Sequence, residues 1–103
     1  MYKAVVFIPL THSEIVKNAM FAAGGGRLGH YENCSFETEG MGQFKPLVGS
    51  KPFLGKQDVV EKVKELRVEM LVADHLIKEV ILAMKKAHPY EVPAYDVIKL
   101  EDL

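Results

Sequence analysis

Glu61-Lys62-Val63-Lys64-Glu65-Leu66-Arg67-Val68-Glu69-Met70-Leu71-Val72-Ala73-Asp74 decides the fold, because it fits two periodicities at once. Together with Val59, the residues Val63, Leu66 and Met70 recur at helical spacing. Leu66, Val68, Met70 and Val72 alternate as a strand does, with Arg67 and Glu69 between them. Asp74 arbitrates. Its carboxylate suits a helix N-cap, and a helix running straight through it would leave that signal unused. The spacing therefore predicts a strand over about 62–73. A helix follows from Asp74, carrying Leu76, Ile77, Val80, Ile81 and Met84 on one stripe and ending near Ala87, since Pro89 cannot continue it.

Outward from this unit, the N-terminal half repeats the pattern. Val5-Val6-Phe7-Ile8 is a short apolar run stopped by Pro9, which predicts a buried strand over 2–8. Thr11-His12-Ser13-Glu14 has the capping-box spacing, and Ile15, Val16, Ala19, Met20 and Ala23 follow at helical intervals. Gly24-Gly25-Gly26 reads as the end of that helix, where glycine takes the left-handed turn freely. A strand is expected over Gly29–Glu39, then a reversal at Gly40 and Gly42, then a strand over Gln43–Val48 confined to an edge by Pro46. Gly49–Asp58 is the irregular excursion, and Val92–Leu100 the last strand. The order is β-α-β-β-β-α-β, or β-α-β-β-α-β without the Gln43–Val48 strand. Two right-handed βαβ halves put both helices on one face of an antiparallel sheet. The fold class is α+β, ferredoxin-like βαββαβ with an extra hairpin strand, in one domain spanning residues 1–103.

Composition agrees with a globular chain. Of 103 residues, 49% are apolar and 26% charged, and the formal charge is −1. The lysines alternate with acids, so no basic footprint for nucleic acid is present. No apolar run approaches the ~20 residues of a membrane span. A single cysteine, Cys34, rules out an internal disulfide. The N-terminus lacks a signal-peptide pattern, which makes the cytoplasm the default compartment.

His88-Pro89-Tyr90-Glu91-Val92-Pro93 resembles the corresponding segment of CutA-type proteins, PII-like trimers linked to divalent-cation tolerance. A longer resemblance covers nearly the whole chain. Val6-Phe7-Ile8-Pro9, Ala22-Ala23-Gly24, Gly29-His30-Tyr31, Cys34-Ser35-Phe36, Thr38-Glu39-Gly40, Phe44-Lys45-Pro46-Leu47 and Ala87-His88-Pro89-Tyr90-Glu91 look like the inserted PII/CutA-like domain of the Nif-three-like (dinuclear metal centre) family. That family holds its metals on the halves flanking the insert, which this sequence does not contain. The dinuclear site therefore maps onto no residue here. The resemblance implies the fold, packing as a trimer and a sensing or gating role, in a free-standing version of the insert.

Each chemical candidate has a plain structural counterpart. His88, Tyr90 and Glu91 offer imidazole, phenol and carboxylate at one corner, suited to a ligand at a subunit cleft. They serve equally as a helix terminus, with a cationic His88 beside the helix dipole and Glu91 paired across an interface. His30 and Cys34 suit zinc or copper, with His88 a third candidate ligand. On one strand His30 and Cys34 would stand ~13 Å apart, too far to share an ion. Arg27, after the glycines, is placed to meet an anion from a neighbouring subunit. The leading expectation is a homo-oligomeric binding or regulatory module, a trimer in the resemblance's terms. Its clefts would take a small ligand or a divalent metal, zinc or copper, with no nucleic acid or membrane partner. Two rivals stand beside it: an enzyme using His12, His30 or His88 as base with Tyr90 or Glu91 as acid, and an accessory partner of a separate catalytic subunit.

Overall fold

The computed structural model describes residues 1–103. Strand β1 (Tyr2–Pro9) leads through a 3-10 turn, Leu10–His12, into α1 (Ser13–Ala22). Strands β2 (Phe36–Phe44) and β3 (Glu61–Val72) follow. A second 3-10 turn, Asp74–Leu76, opens α2 (Ile77–Ala87), and β4 (Tyr95–Lys99) closes the chain. The sheet order is β2-β3-β1-β4, every pair antiparallel. This is the ferredoxin-like βαββαβ arrangement. No helix is long and apolar enough to cross a membrane.

The strand reading of Glu61–Val72 holds, and the alternation explains it. Ala4, Val6 and Ile8 of β1 stand opposite Met70, Val68 and Leu66 of β3. They pack against Val16 and Met20 of α1 and Val80 and Met84 of α2 in one apolar layer. Each such side chain contributes about 1.5–3 kcal/mol when withdrawn from water. A helix over 61–70 would have scattered Val68 and Met70 to different sides. Both helices therefore lie on one face, and the face bearing Lys3, Phe7, Arg67 and Glu69 is left without a helix.

The triple glycine ends α1 as its chemistry requires. Gly24 has φ +109°, its N–H donates to the Phe21 carbonyl at 3.0 Å, and the Gly25 N–H donates to the Met20 carbonyl at 2.9 Å. These are the two bonds of a Schellman cap.

Four expectations are corrected. The extra Gln43–Val48 strand is absent. β2 runs unbroken through Gly40 and Gly42 because β3 is 12 residues long and pairs with all nine residues from Phe36 to Phe44. Residues 45–60 then form one irregular loop, which includes the expected excursion. The strand expected from Gly29 begins only at Phe36. Gly26, Gly29 and Asn33 all have positive φ, which breaks an extended run. Instead the segment docks by the Gly26 N–H on the Leu71 carbonyl and the Cys34 N–H on the Gly26 carbonyl, both at 2.8 Å. Neither helix has a side-chain cap. Thr11 Oγ1 bonds His12 Nδ1 at 2.8 Å, and Asp74 holds the N-terminal amine and, at 3.0 Å, Lys99 Nζ. The last strand starts at Tyr95, not Val92.

One consequence of the long β3 is an arm. Its pairing with β1 stops at Pro9–Glu65, so Glu61–Lys64 pair only with Met41–Phe44 of β2. The arm contributes to the elongated 46 × 24 × 24 Å shape.

Candidate functional site

The site lies where α2 ends, the arm begins and the 45–60 loop folds back. His88 follows α2, and its backbone N–H closes the helix on the Met84 carbonyl at 2.9 Å. The residue is 6% exposed. Nδ1 accepts the Tyr90 backbone N–H at 3.1 Å, so the proton resides on Nε2, which donates to the Phe7 carbonyl at 2.7 Å. Burial pushes the imidazole below its ordinary pKa, against the pull of the Phe7 carbonyl. The expected cationic His88 beside the helix dipole is thus corrected: the ring is neutral, and both nitrogens are engaged in the fold.

Tyr90 turns the other way. Its hydroxyl donates to Glu65 Oε2 at 2.7 Å. Burial first, and the Glu65 acceptor second, raise the phenol above its ordinary range and keep it protonated. Glu65 is itself buried, at 9% exposure. It fits because Gly42 on β2 carries no side chain. Gly40 stands opposite Glu65, and a Cβ at Gly42 would collide with the Glu65 carboxylate.

Around this pair lies a cavity of about 290 Å³, walled by Phe44, Phe53, Tyr90, Glu65, Glu91 and Val92. The rings of Phe44 and Phe53 lie 5.9 and 6.5 Å from that of Tyr90, tilted by 58° and 50°. The loop that carries Phe53 is tied down at two points. The Lys51 N–H donates to Glu91 Oε1 at 3.0 Å, and the Asp58 N–H to the Pro46 carbonyl at 2.7 Å. Glu91, expected to pair across an interface, is used within the chain. His12 packs 5.2 Å from Phe53, edge to face.

The candidates from sequence are divided. His88, Tyr90 and Glu91 converge on this corner. Arg27 is exposed at the opposite end of the sheet, in a shallow hollow with Lys3, Cys34 and Glu69. It does not join the other three within one chain. His30 is exposed on the 23–35 connection, and Cys34 on the same connection donates weakly from Sγ to the Glu32 carbonyl at 3.8 Å. They do not share a strand face, and His88 is bound to β1 at Phe7, away from both. No three His, Cys, Asp or Glu side chains gather as a metal site. The three-ligand set His30, Cys34 and His88 is therefore not assembled within one chain. Glu65, Phe44 and Phe53 were not legible as site residues: their convergence depends on register and on the fold-back of the loop.

The pKa direction at His88 sets a pH dependence. The folded ring resists protonation while the unfolded ring titrates near 6.5, so the unfolded state binds more protons as pH falls below that value. The contribution is complete above about pH 6.5. It is lost as pH falls from there toward the lowered folded value, with a slope of at most about 1.4 kcal/mol per pH unit. Urea midpoints measured from pH 7.5 to 5 should fall for the native chain, and His88→Gln should lack that component.

No family model matches the chain. Over 100 residues it is 47% identical to a GTP cyclohydrolase 1 type 2 homolog of Halalkalibacterium halodurans, covering 97% of this chain and 27% of that protein. The homolog of Bacillus subtilis is 44% identical over 99 residues, at 96% and 26% coverage. The chain thus spans about a quarter of the length of the curated relatives it matches. Among solved structures, a Bacillus cereus protein related to NIF3 superposes with a TM-score of 0.83 at 42% identity, over 98% of this chain and 26% of that one. The PII-like protein CutA of Nostoc superposes with a TM-score of 0.64 at 19% identity, over 98% and 82%, a likeness of fold alone.

Proposed function

We propose, from the chain's homology to a segment of the NIF3-related GTP cyclohydrolase 1 type 2 homologs, that it is an oligomeric binding module with a regulatory role. A small ligand occupies the cavity beneath the 45–60 loop. The observation that carries this reading is the cavity itself, in which the Tyr90–Glu65 pair shares the wall with Glu91, Phe44 and Phe53. Apolar walls with a few fixed polar groups are the usual make-up of a small-molecule site. His88 acts here as a positioning residue, holding Tyr90 through its backbone.

Association is part of the proposal. β2 and β4 are both sheet edges, with open ladder groups that favour pairing. Phe36 and Met41 on β2, and Val97 and Ile98 on β4, are exposed. A closed ring of three copies covers every edge by one repeated contact. Light scattering after gel filtration should give three times the 11.5 kDa chain mass. A stable monomer across micromolar concentrations ends this part of the reading. In such a ring a zinc or copper site draws ligands from more than one copy, since one chain brings no three together.

A second reading is an accessory role. The chain matches about a quarter of the length of its relatives, and it would act beside a catalytic partner. Co-purification of the chain with such a partner from native lysate tests it, and recovery of the chain alone counts against it.

A further inference from the structure

We propose that the ligand of this cavity is a small organic ammonium ion. The inference rests on reading the cavity as the ligand site and adds the chemical class. Three observations carry it. First, the charged lining is entirely acidic: Glu65 and Glu91 contribute carboxylates, and no lysine or arginine is among the lining residues. His88, packed 5.0 Å from the Tyr90 ring, is held neutral and adds no positive charge to the wall. A phosphate or carboxylate ligand would meet two carboxylates there and no lysine or arginine to offset them.

Second, the aromatic rings of the wall do not stack flat on one another. Phe44 and Phe53 are inclined to Tyr90 by 58° and 50° instead of lying flat upon it. Ring faces not covered by one another carry the negative side of the quadrupole, which attracts a cation. A partly apolar wall that also carries two acids suits an ion with a hydrocarbon body and a charged head. A bare metal ion would find no set of three ligands.

Third, neither acid is used up. Tyr90 occupies Oε2 of Glu65 and the Lys51 N–H occupies Oε1 of Glu91. A carboxylate has about four lone-pair sites, so each retains acceptor capacity for an ammonium donor. The volume of about 290 Å³ sits at the small end of ligand pockets and matches a body of a few carbons.

The test is a backbone-amide NMR titration of the 103-residue chain with n-butylammonium, choline and 1,4-diaminobutane. 3,3-Dimethyl-1-butanol, the neutral shape-mimic of choline, serves as the control. At least one ammonium ion should shift the amides of Phe44, Tyr90 and Val92, and choline should bind at least tenfold more tightly than its neutral mimic. Glu91→Gln keeps an oxygen for the Lys51 N–H while removing one charge, and should weaken ammonium binding about fivefold with the fold intact. Equal binding of choline and its mimic overturns the ammonium class but leaves the cavity as a site. If none of the four compounds shifts those amides, the class and the cavity reading fall together. Zinc and copper chlorides, added separately, overturn the class if either shifts those amides at lower concentration than every ammonium ion.

Discussion

Replacing His88 with alanine should lower the unfolding free energy by about 3–4 kcal/mol, a large share of the roughly 5–15 kcal/mol typical of a small chain. The size follows from what the ring does. Its Nε2–H satisfies the Phe7 carbonyl in β1, and its Nδ1 satisfies the Tyr90 N–H. Alanine removes both partners and leaves a hollow, and each unsatisfied buried group costs about 1–3 kcal/mol. A lost metal ligand or exposed base would scarcely move stability, so the result separates the structural role from the catalytic one. His88→Gln, able to restore the Phe7 bond alone, should recover about half. Urea denaturation at pH 7.5 measures all three chains. A loss below about 1 kcal/mol for the alanine variant would refute the role of His88 as the clamp of this corner.

The second large effect is a contrast between two glycines on one strand. Gly42→Val should destabilise by about 2–3 kcal/mol, whereas Gly40→Val should be neutral or stabilising by up to about 1 kcal/mol. Strand propensity favours valine at both positions by a similar amount. The difference is Glu65. A Cβ on Gly42 would collide with its carboxylate, while a Cβ on Gly40 meets nothing within 4 Å. A displaced carboxylate leaves the Tyr90 hydroxyl without its acceptor and reshapes the cavity floor. Ligand binding in the cavity should be lost at Gly42→Val and kept at Gly40→Val. Equal effects of the two substitutions on the urea midpoint would show that Glu65 does not depend on the missing side chain.

The same glycines mark where sequence and structure part. As residue types they signal a reversal, and that reading led to a hairpin and an additional strand. In the protein they lie within one continuous strand, and what Gly42 contributes is the space left above it. That space has a purpose only once Glu65 is known to stand across the ladder, and register is a property of two distant segments. Glu65 itself alternates with Lys64 and Leu66 like any solvent-facing acid. The alternation of Val68, Met70 and Val72, by contrast, was legible once Asp74 had ruled against a through-running helix, since a period of two over an apolar layer has one solution. The corner motif was visible as a cluster of reactive types. Its division of labour was not, because a histidine at a helix end reads alike whether it is a cation in water or a neutral clamp. The strand face expected to carry His30 and Cys34 is absent for a local reason. Positive φ at Gly29 and Asn33 denies the segment a strand, and with it the shared face.

The arm formed by Met41–Phe44 and Glu61–Lys64 has a further implication. Phe44, one jamb of the cavity, stands on a two-stranded ribbon that projects past the last rung shared with β1. Bending that ribbon disturbs a handful of cross-strand bonds and leaves the helix-backed layer untouched. A displacement of Phe44 therefore costs far less than melting the whole chain.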